Sequence, residues 1–422
     1  MTPGTTTTTR RRIAAALLAA TLASPFGTLR PAHAATAAEV PCPKPNVKPP
    51  ANRPPRPVPP KDDPVLRAVG GDALATSGLT IPAGAPKPPA VTATSWLVAD
   101  LDTGEVLGGC GPHVYGTPAS VQKLLLTATV MPKLDPHAVT TITQGDVTIE
   151  ANSSAVGLVR GGKYAVSTLW LGLLLNSGND AANTLARLAG GTGGVRQTVA
   201  DMNAEAKQLG AFQTHADTPS GLDGPGQFTS AYDLALIARV CFGYPDFGKY
   251  ALSKTAQMPA QPALKKAGFQ IQNENKLIFK YKGALGGKTG FTTLARTSYV
   301  GGAQRNGRRL VVTLLGAEVN PLRGWQQGAA LLNWGFALPK DASVGRLIDT
   351  KDASATDPDK TAAPPVSAPL SITPASRHGS SPQIASLGIA AAVAVVLAGA
   401  PLLLLIIQRR RQRMRRRQPS VR

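Results

Sequence analysis

Cysteine and histidine are scarce in this chain, and what they fail to form narrows its chemistry. Three cysteines and five histidines are spread over 422 residues. No C-x-x-C pair and no histidine cluster occurs, so no metal site is legible. Cys42, Cys110 and Cys241 make a poor disulfide framework, and one bridge plus one free thiol is the simplest arithmetic for an exported chain. The sequence leaves the pairing open; Cys110–Cys241 is the expectation, because Cys42 lies in proline-rich sequence unsuited to packing. No G-x-S-x-G elbow is present, which disfavours a Ser-His-Asp hydrolase. His113, His137 and His215 have no supporting pattern and read as surface or structural residues. There is no internal repeat.

Acidic residues are also few, 24 against 45 Lys and Arg, for a net charge of +21. Eight arginines lie after Gln408 and four lie in the first thirty residues. Over half of the excess is therefore topogenic, and the inference from a high isoelectric point to nucleic acid fails. Residues 1–34 carry basic, apolar and small-residue regions in the order of a secretory signal peptide. The paired arginines leave twin-arginine export open beside the general route. The uncharged run Ile384–Gln408 is just over the ~20 residues a bilayer needs, and a dense basic tail, 409–422, follows it. The basic side faces the cytoplasm. The expectation is one C-terminal membrane helix, a cytoplasmic C-terminus and an extracytoplasmic domain.

Residues 35–90 are proline-rich and read as an extended linker. Residues 350–383, rich in Ala, Ser and Pro, read as a flexible stalk. The domain between them, 91–349, has strands at its ends and helices in its middle. "TSWLVADLDTGEVLGG" predicts a hairpin around Asp-Thr-Gly, and "TSYVGGAQRNGRRLVVTLLGAEV" one that turns at Asn306-Gly307. Helical periodicity runs from Ser120 to about Gly243, and "PLRGWQQGAALLNWGF" predicts a helix beginning at a proline. The fold class is α+β: an antiparallel sheet with flanking helices and an inserted all-helical lobe.

Three short motifs carry chemistry. Ser-x-x-Lys occurs once, at Ser120/Lys123, heading an apolar helix; taken alone it is a helix start, and chance supplies about one match. Ser177-Gly178-Asn179 lies between two helices and would serve equally as a turn. Lys288-Thr289-Gly290 is the most specific, expected by chance only ~0.05 times in such a chain. In this order and context they form the signature of penicillin-recognising serine enzymes. The chemistry suits them. A serine hydroxyl needs a neighbour to take its proton, and residues i and i+3 share a helix face, so Lys123 reaches Ser120. Burial and a second cation, Lys288, would keep Lys123 neutral part of the time. The helix N-terminus at Ser120 and the backbone of Phe291 offer oxyanion donors. Ser177 can relay a proton to the leaving group. Asn179 can bind a substrate amide, and Lys288 with Thr289 a carboxylate.

The chain resembles the D-alanyl-D-alanine carboxypeptidases, low-molecular-weight penicillin-binding proteins, of the actinobacterial membrane-anchored kind. Beyond the motifs the match runs through "WLVADLDTGEVL", "LLNSGNDAANTLA", "TPSGLDGPGQFTSAYDLALIAR" and "NKLIFKYKGALGGKTGFT", over about residues 94–340. The resemblance implies a serine β-lactamase/D,D-peptidase-like fold and removal of the terminal D-alanine from peptidoglycan stem peptides through a Ser120 acyl-enzyme. It implies β-lactam binding and no cofactor. Gln122 departs from many relatives, which carry a smaller or apolar residue beside the base. The β-rich domain of some relatives is not expected here, since only about a dozen residues separate Phe336 from the stalk. The rivals are a serine β-lactamase, sharing the fold and first motif, and a catalytically weak wall-binding module, whose motifs would be broken. A class A β-lactamase deacylates with a glutamate. In the stretch after Asn179 only Glu205 is offered, and its helical spacing suggests a solvated face.

Overall fold

The computed structural model describes residues 39–357 apart from 49 and 52, and leaves the side chains of 354–356 undescribed. Its centre is an antiparallel seven-stranded sheet. In chain order the strands are β1 (Leu79–Thr80), β2 (Ser95–Asp100), β3 (Glu105–Cys110), β4 (Ala284–Thr292), β5 (Arg296–Arg305), β6 (Arg308–Ala317) and β7 (Gly345–Arg346). Their spatial order is β1-β3-β2-β6-β5-β4, with β7 also on β3. Both expected hairpins form. Asp100 Oδ1 accepts from the amides of Asp102 and Thr103 in the β2–β3 turn. Asn306 and Gly307, both at positive φ, make the two-residue turn that matches strand twist between β5 and β6.

Both faces of the sheet are covered, so its central strands are apolar almost throughout rather than alternating with polar residues. Trp96, Val98, Leu310, Val312 and Leu314 face helix Gly324–Ala337 with Leu331 and Trp334. Leu97, Ala99, Val311 and Leu315 face the other way, into the larger core shared with the helical lobe. That lobe contains α1 (Lys123–Val130), α2 (Val166–Leu175), α3 (Asn179–Ala189), α4 (Gly194–Gln208) and α5 (Ala231–Cys241). The Ser230 hydroxyl accepts from Asp233 N and so caps α5. The helix predicted to begin at a proline, α6 (Gly324–Ala337), begins three residues after Pro321 rather than at it. Gln326 Oε1 accepts from Arg323 N and opens the helix there.

Three expectations need correction. The proline-rich segment is not a free linker. It has no regular structure among its described residues from 41 to 63, yet it lies against the domain as a strap. Lys44 Nζ donates to Ala93 O, Arg56 to Thr94 Oγ1, and Leu79 N to Val40 O. Further along the strap, Val69 and Leu74 are buried. Prolines deny the strap a ladder, so side chains and a covalent bond fasten it instead. That bond is Cys42–Cys110, with Cα atoms 5.9 Å apart. Cys241 is the free thiol, buried under the lobe with its Sγ 3.2 Å from Leu124 O; burial raises its pKa far above normal. The domain also outlasts residue 349, since Thr350–Thr356 is helical and Ala353 is buried.

The signal peptide at 1–34, most of the stalk, the 384–408 span and the 409–422 tail lie outside the described residues. No helix among the described residues is long and apolar enough to cross a membrane.

Candidate active site

Ser120 sits in a 3-10 turn, Ala119–Gln122, that leads into α1. It is therefore inside the helix entry rather than its N-cap, a place taken by Pro118. Ala119 holds φ +50, a left-handed value that alanine sustains only where its surroundings dictate it. Strand β4 presses on this turn through Gly290. A Cβ there would lie 2.9 Å from Ser120 N, so only glycine lets the strand approach the serine's backbone amide.

Lys123 is fully buried, and its ammonium has three partners: Ser120 Oγ at 2.8 Å, Asn179 Oδ1 at 2.8 Å and Ser220 O at 2.7 Å. All three accept, so the lysine is held in one place without a carboxylate in contact. Burial, then the charge of Lys288, pushes its pKa well below the ordinary lysine range, while Asp180 and Glu274 pull it back. A lower pKa moves a lysine toward its neutral form, the state a general base requires.

Ser177 and Gly178 join α2 to α3. Ser177 has φ +59, is 4% exposed, and its Oγ has no hydrogen-bond partner. A buried, unpaired hydroxyl on a strained turn is poised for a bound group. Asn179 opens α3, its N–H donating to Ser154 O at 2.8 Å. Beside it, Asp180 accepts from the amides of Val156, Gly157, Leu158 and Ala181. It thereby ties the segment carrying Ser154 to the start of α3.

On β4, Lys288 is 2% exposed and donates to Thr289 O at 2.7 Å. Burial pushes its pKa down to about 8, against the opposing charge of Glu274. Thr289, Gly290 and Phe291 line the cleft, whereas the Lys288 side chain lies beneath its surface. Phe291 is 57% exposed at the rim. The cleft, about 870 Å³, also opens onto Ser120, Ser177 and Asn179. The structure thus gathers the residues of the three motifs with Phe291, Lys123 and Lys288 forming the layer below.

Three participants were not legible. The Ser220 carbonyl is presented by a turn in which Gly221 has φ +84 and packs on Ala119 O; the glycines of "SGLDGPG" were the available signal. Asp180 could be read only as a first-turn acid of α3, and Glu274, exposed on the cleft wall, had no motif. Gln122 is buried with its amide nitrogen unpaired, so it contacts no acceptor on the base. Glu205 is half-buried rather than solvated, and it is absent from the cleft wall.

A buried lysine against a serine at a helix entry, between a sheet edge and a helical lobe, defines a class: the serine peptidases that work with a lysine in place of histidine. Comparison with known proteins narrows it. The peptidase S11 family model, described as D-alanyl-D-alanine carboxypeptidase, matches residues 83–319. The D-alanyl-D-alanine carboxypeptidase DacB2 of Mycobacterium tuberculosis is 44% identical over 272 residues, 63% of this chain and 90% of that protein. A crystal structure of a D-alanyl-D-alanine carboxypeptidase from Mycobacterium tuberculosis superposes with TM-score 0.59 at 43% identity, covering 63% of this chain and 99% of that one. The Streptomyces K15 DD-transpeptidase gives TM-score 0.57 at 27% identity, over 60% and 100%. The chain belongs to the S11 family of D-alanyl-D-alanine carboxypeptidases, and it is a serine peptidase.

Proposed function

We propose that the chain removes the terminal D-alanine from peptidoglycan stem pentapeptides through an acyl-enzyme on Ser120, and that penicillins acylate the same oxygen. One observation carries this reading: the Lys123 ammonium, fully buried, lies 2.8 Å from Ser120 Oγ with no carboxylate touching it. Neutral Lys123 takes the Ser120 proton as Oγ attacks the carbonyl carbon of the D-Ala–D-Ala bond. The oxyanion forms against the amides of Ser120 and Phe291, with Gly290 giving the close approach. As the C–N bond breaks, the proton passes by way of Ser177 to the leaving amine. Asn179 orients the substrate amide. Thr289 meets the terminal carboxylate at the cleft surface, with the Lys288 charge drawing it in from below. Water then releases the shortened peptide and restores Ser120.

The domain acts outside the cytoplasm on this reading. The leader at 1–34, the apolar run 384–408 and the arginines after it support export and a single anchor with a cytoplasmic C-terminus. Protease added to protoplasts should release the catalytic domain; a protected domain would refute the topology. For the chemistry, intact mass after penicillin should show one adduct, lost in Ser120→Ala. D-Alanine should be released from a pentapeptide by the wild type alone. An adduct on Ser120→Ala sinks the assignment.

A further inference from the structure

The end of β4, where Phe291 and Thr292 lie, is held by a cluster that none of the motifs includes. Thr292 pairs in register with Arg296, the first residue of β5. Arg296 has φ +60, a left-handed conformation suited to glycine and adopted by a long side chain only where its surroundings over-determine it. Those surroundings are specific. Its guanidinium donates to both oxygens of Glu318, Nη2 to Oε2 at 2.8 Å and Nε to Oε1 at 3.3 Å. Its Cζ lies 5.8 Å from the centre of the Phe291 ring, within cation–π range.

Glu318 is itself buried and fixed. Its N–H donates to Thr92 Oγ1 at 2.9 Å, and its carbonyl accepts from Gln327 Nε2 at 2.9 Å. A second guanidinium reaches it from the strap: Arg53 donates to Glu318 Oε1. One buried carboxylate therefore joins the strap to the turn that ends the catalytic strand. Removing its charge would leave two guanidinium groups facing each other beside the end of β4.

We propose that Glu318 is a positioning residue for this reaction, holding Arg296, and through it Phe291, in register with Ser120, with Arg53 of the strap as its second arm. This rests on the reading of the Phe291 amide as an oxyanion donor. Misplacing such a donor by a fraction of an ångström slows acylation without removing the nucleophile.

The test is the second-order rate of acylation by a fluorescent penicillin, with kcat and KM for a pentapeptide and the unfolding midpoint of each variant. Glu318→Gln should acylate about tenfold more slowly, reach the same final stoichiometry, and lose kcat with KM within about twofold. Arg296→Gly separates the clamp from the strain: glycine suits φ +60, which offsets part of the lost ion pair with Glu318, so the variant should fold yet acylate more slowly. Arg53→Ala, at an exposed position on the strap, should give a smaller slowing in the same direction. Wild-type acylation in Glu318→Gln or Arg296→Gly, whatever the midpoint, overturns the proposal. An unchanged rate in Arg53→Ala removes the strap from it. A penicillin adduct on Ser120→Ala would instead overturn the underlying assignment, and the two failures are distinct.

Discussion

Replacing Asp180 with asparagine should cost both stability and the geometry of the cleft wall. Its Oδ1 accepts from Val156 N and Ala181 N, and its Oδ2 from Gly157 N and Leu158 N, each at 2.9 Å. An amide keeps one oxygen and turns an NH2 toward two of those donors, so two charge-assisted bonds are lost. At roughly 1.5–3 kcal/mol each, the loss is about 3–6 kcal/mol. In a domain of this size that lowers the unfolding midpoint by on the order of 10 °C. The segment released carries Ser154, whose carbonyl holds Asn179 N, so substrate binding should weaken as well. A second readout comes from charge. Asp180 raises the Lys123 pKa against the pull of burial and Lys288, so its neutralisation lowers that pKa further. The acid limb of the acylation rate against pH should then move to lower pH. Thermal unfolding and a stopped-flow penicillin titration measure the two effects. A midpoint shift below about 2 °C, or an acid limb moving to higher pH, would refute the reasoning.

For the carboxypeptidase activity, kcat/KM should fall on the alkaline side near pH 8, as Lys288 loses the charge that draws in the terminal carboxylate. Lys288→Ala should abolish that limb and weaken carboxylate substrates more than amidated ones; an equal loss for both would count against the role. Changing Cys42 and Cys110 to serine removes a crosslink spanning 68 residues, worth up to about 4 kcal/mol by loop entropy. Unfolding in the absence of reductant should show that loss, and intact mass should show one disulfide and one thiol that reacts only after denaturation. The penicillin adduct on Ser120 should persist for many turnover times, because Glu205 is absent from the cleft wall and none of the carboxylates there, Glu150, Asp223 and Glu274, hydrogen-bonds Ser120, whose Oγ is held by Lys123. Rapid multiple-turnover penicillin hydrolysis without D-alanine release would favour the β-lactamase.

What could be read in the sequence follows from the range of each interaction. The Ser120/Lys123 contact was legible because helix geometry fixes neighbours three residues apart. The β5–β6 hairpin was legible because Asn-Gly encodes its own turn. The bridge was misjudged because disulfide pairing depends on where chains meet in space, and proline-rich composition argued only against regular structure. A stretch without helix or strand can still be bound by side chains, as Lys44 and Arg56 bind the start of the strap. Ser220 acts through a backbone carbonyl, which leaves no mark in residue identity. Arg296 sits in a Leu-Ala-Arg-Thr run that gives no hint of φ +60, because the partners that stabilise it come from Glu318 and, beyond it, Arg53.

The two buried lysines impose a constraint that links fold to function. Both ammonium groups are nearly without solvent, and each disfavours the charge of the other. Asp180 has both oxygens engaged by backbone amides, and Glu274 stands on the exposed cleft wall, so neither contacts a lysine as an ion pair. The pair is therefore pressed away from carrying both charges, and its titration belongs to both groups rather than to either. Burial and the Lys288 charge press Lys123 toward its neutral form, while its three acceptors, Ser120 Oγ, Asn179 Oδ1 and Ser220 O, favour the ammonium that donates to them. On the proposed reading, Lys288 is the charge that draws in a carboxylate. An anionic substrate then acts on both at once: its carboxylate offsets the Lys288 charge and so weakens one of the two effects that press Lys123 toward neutrality.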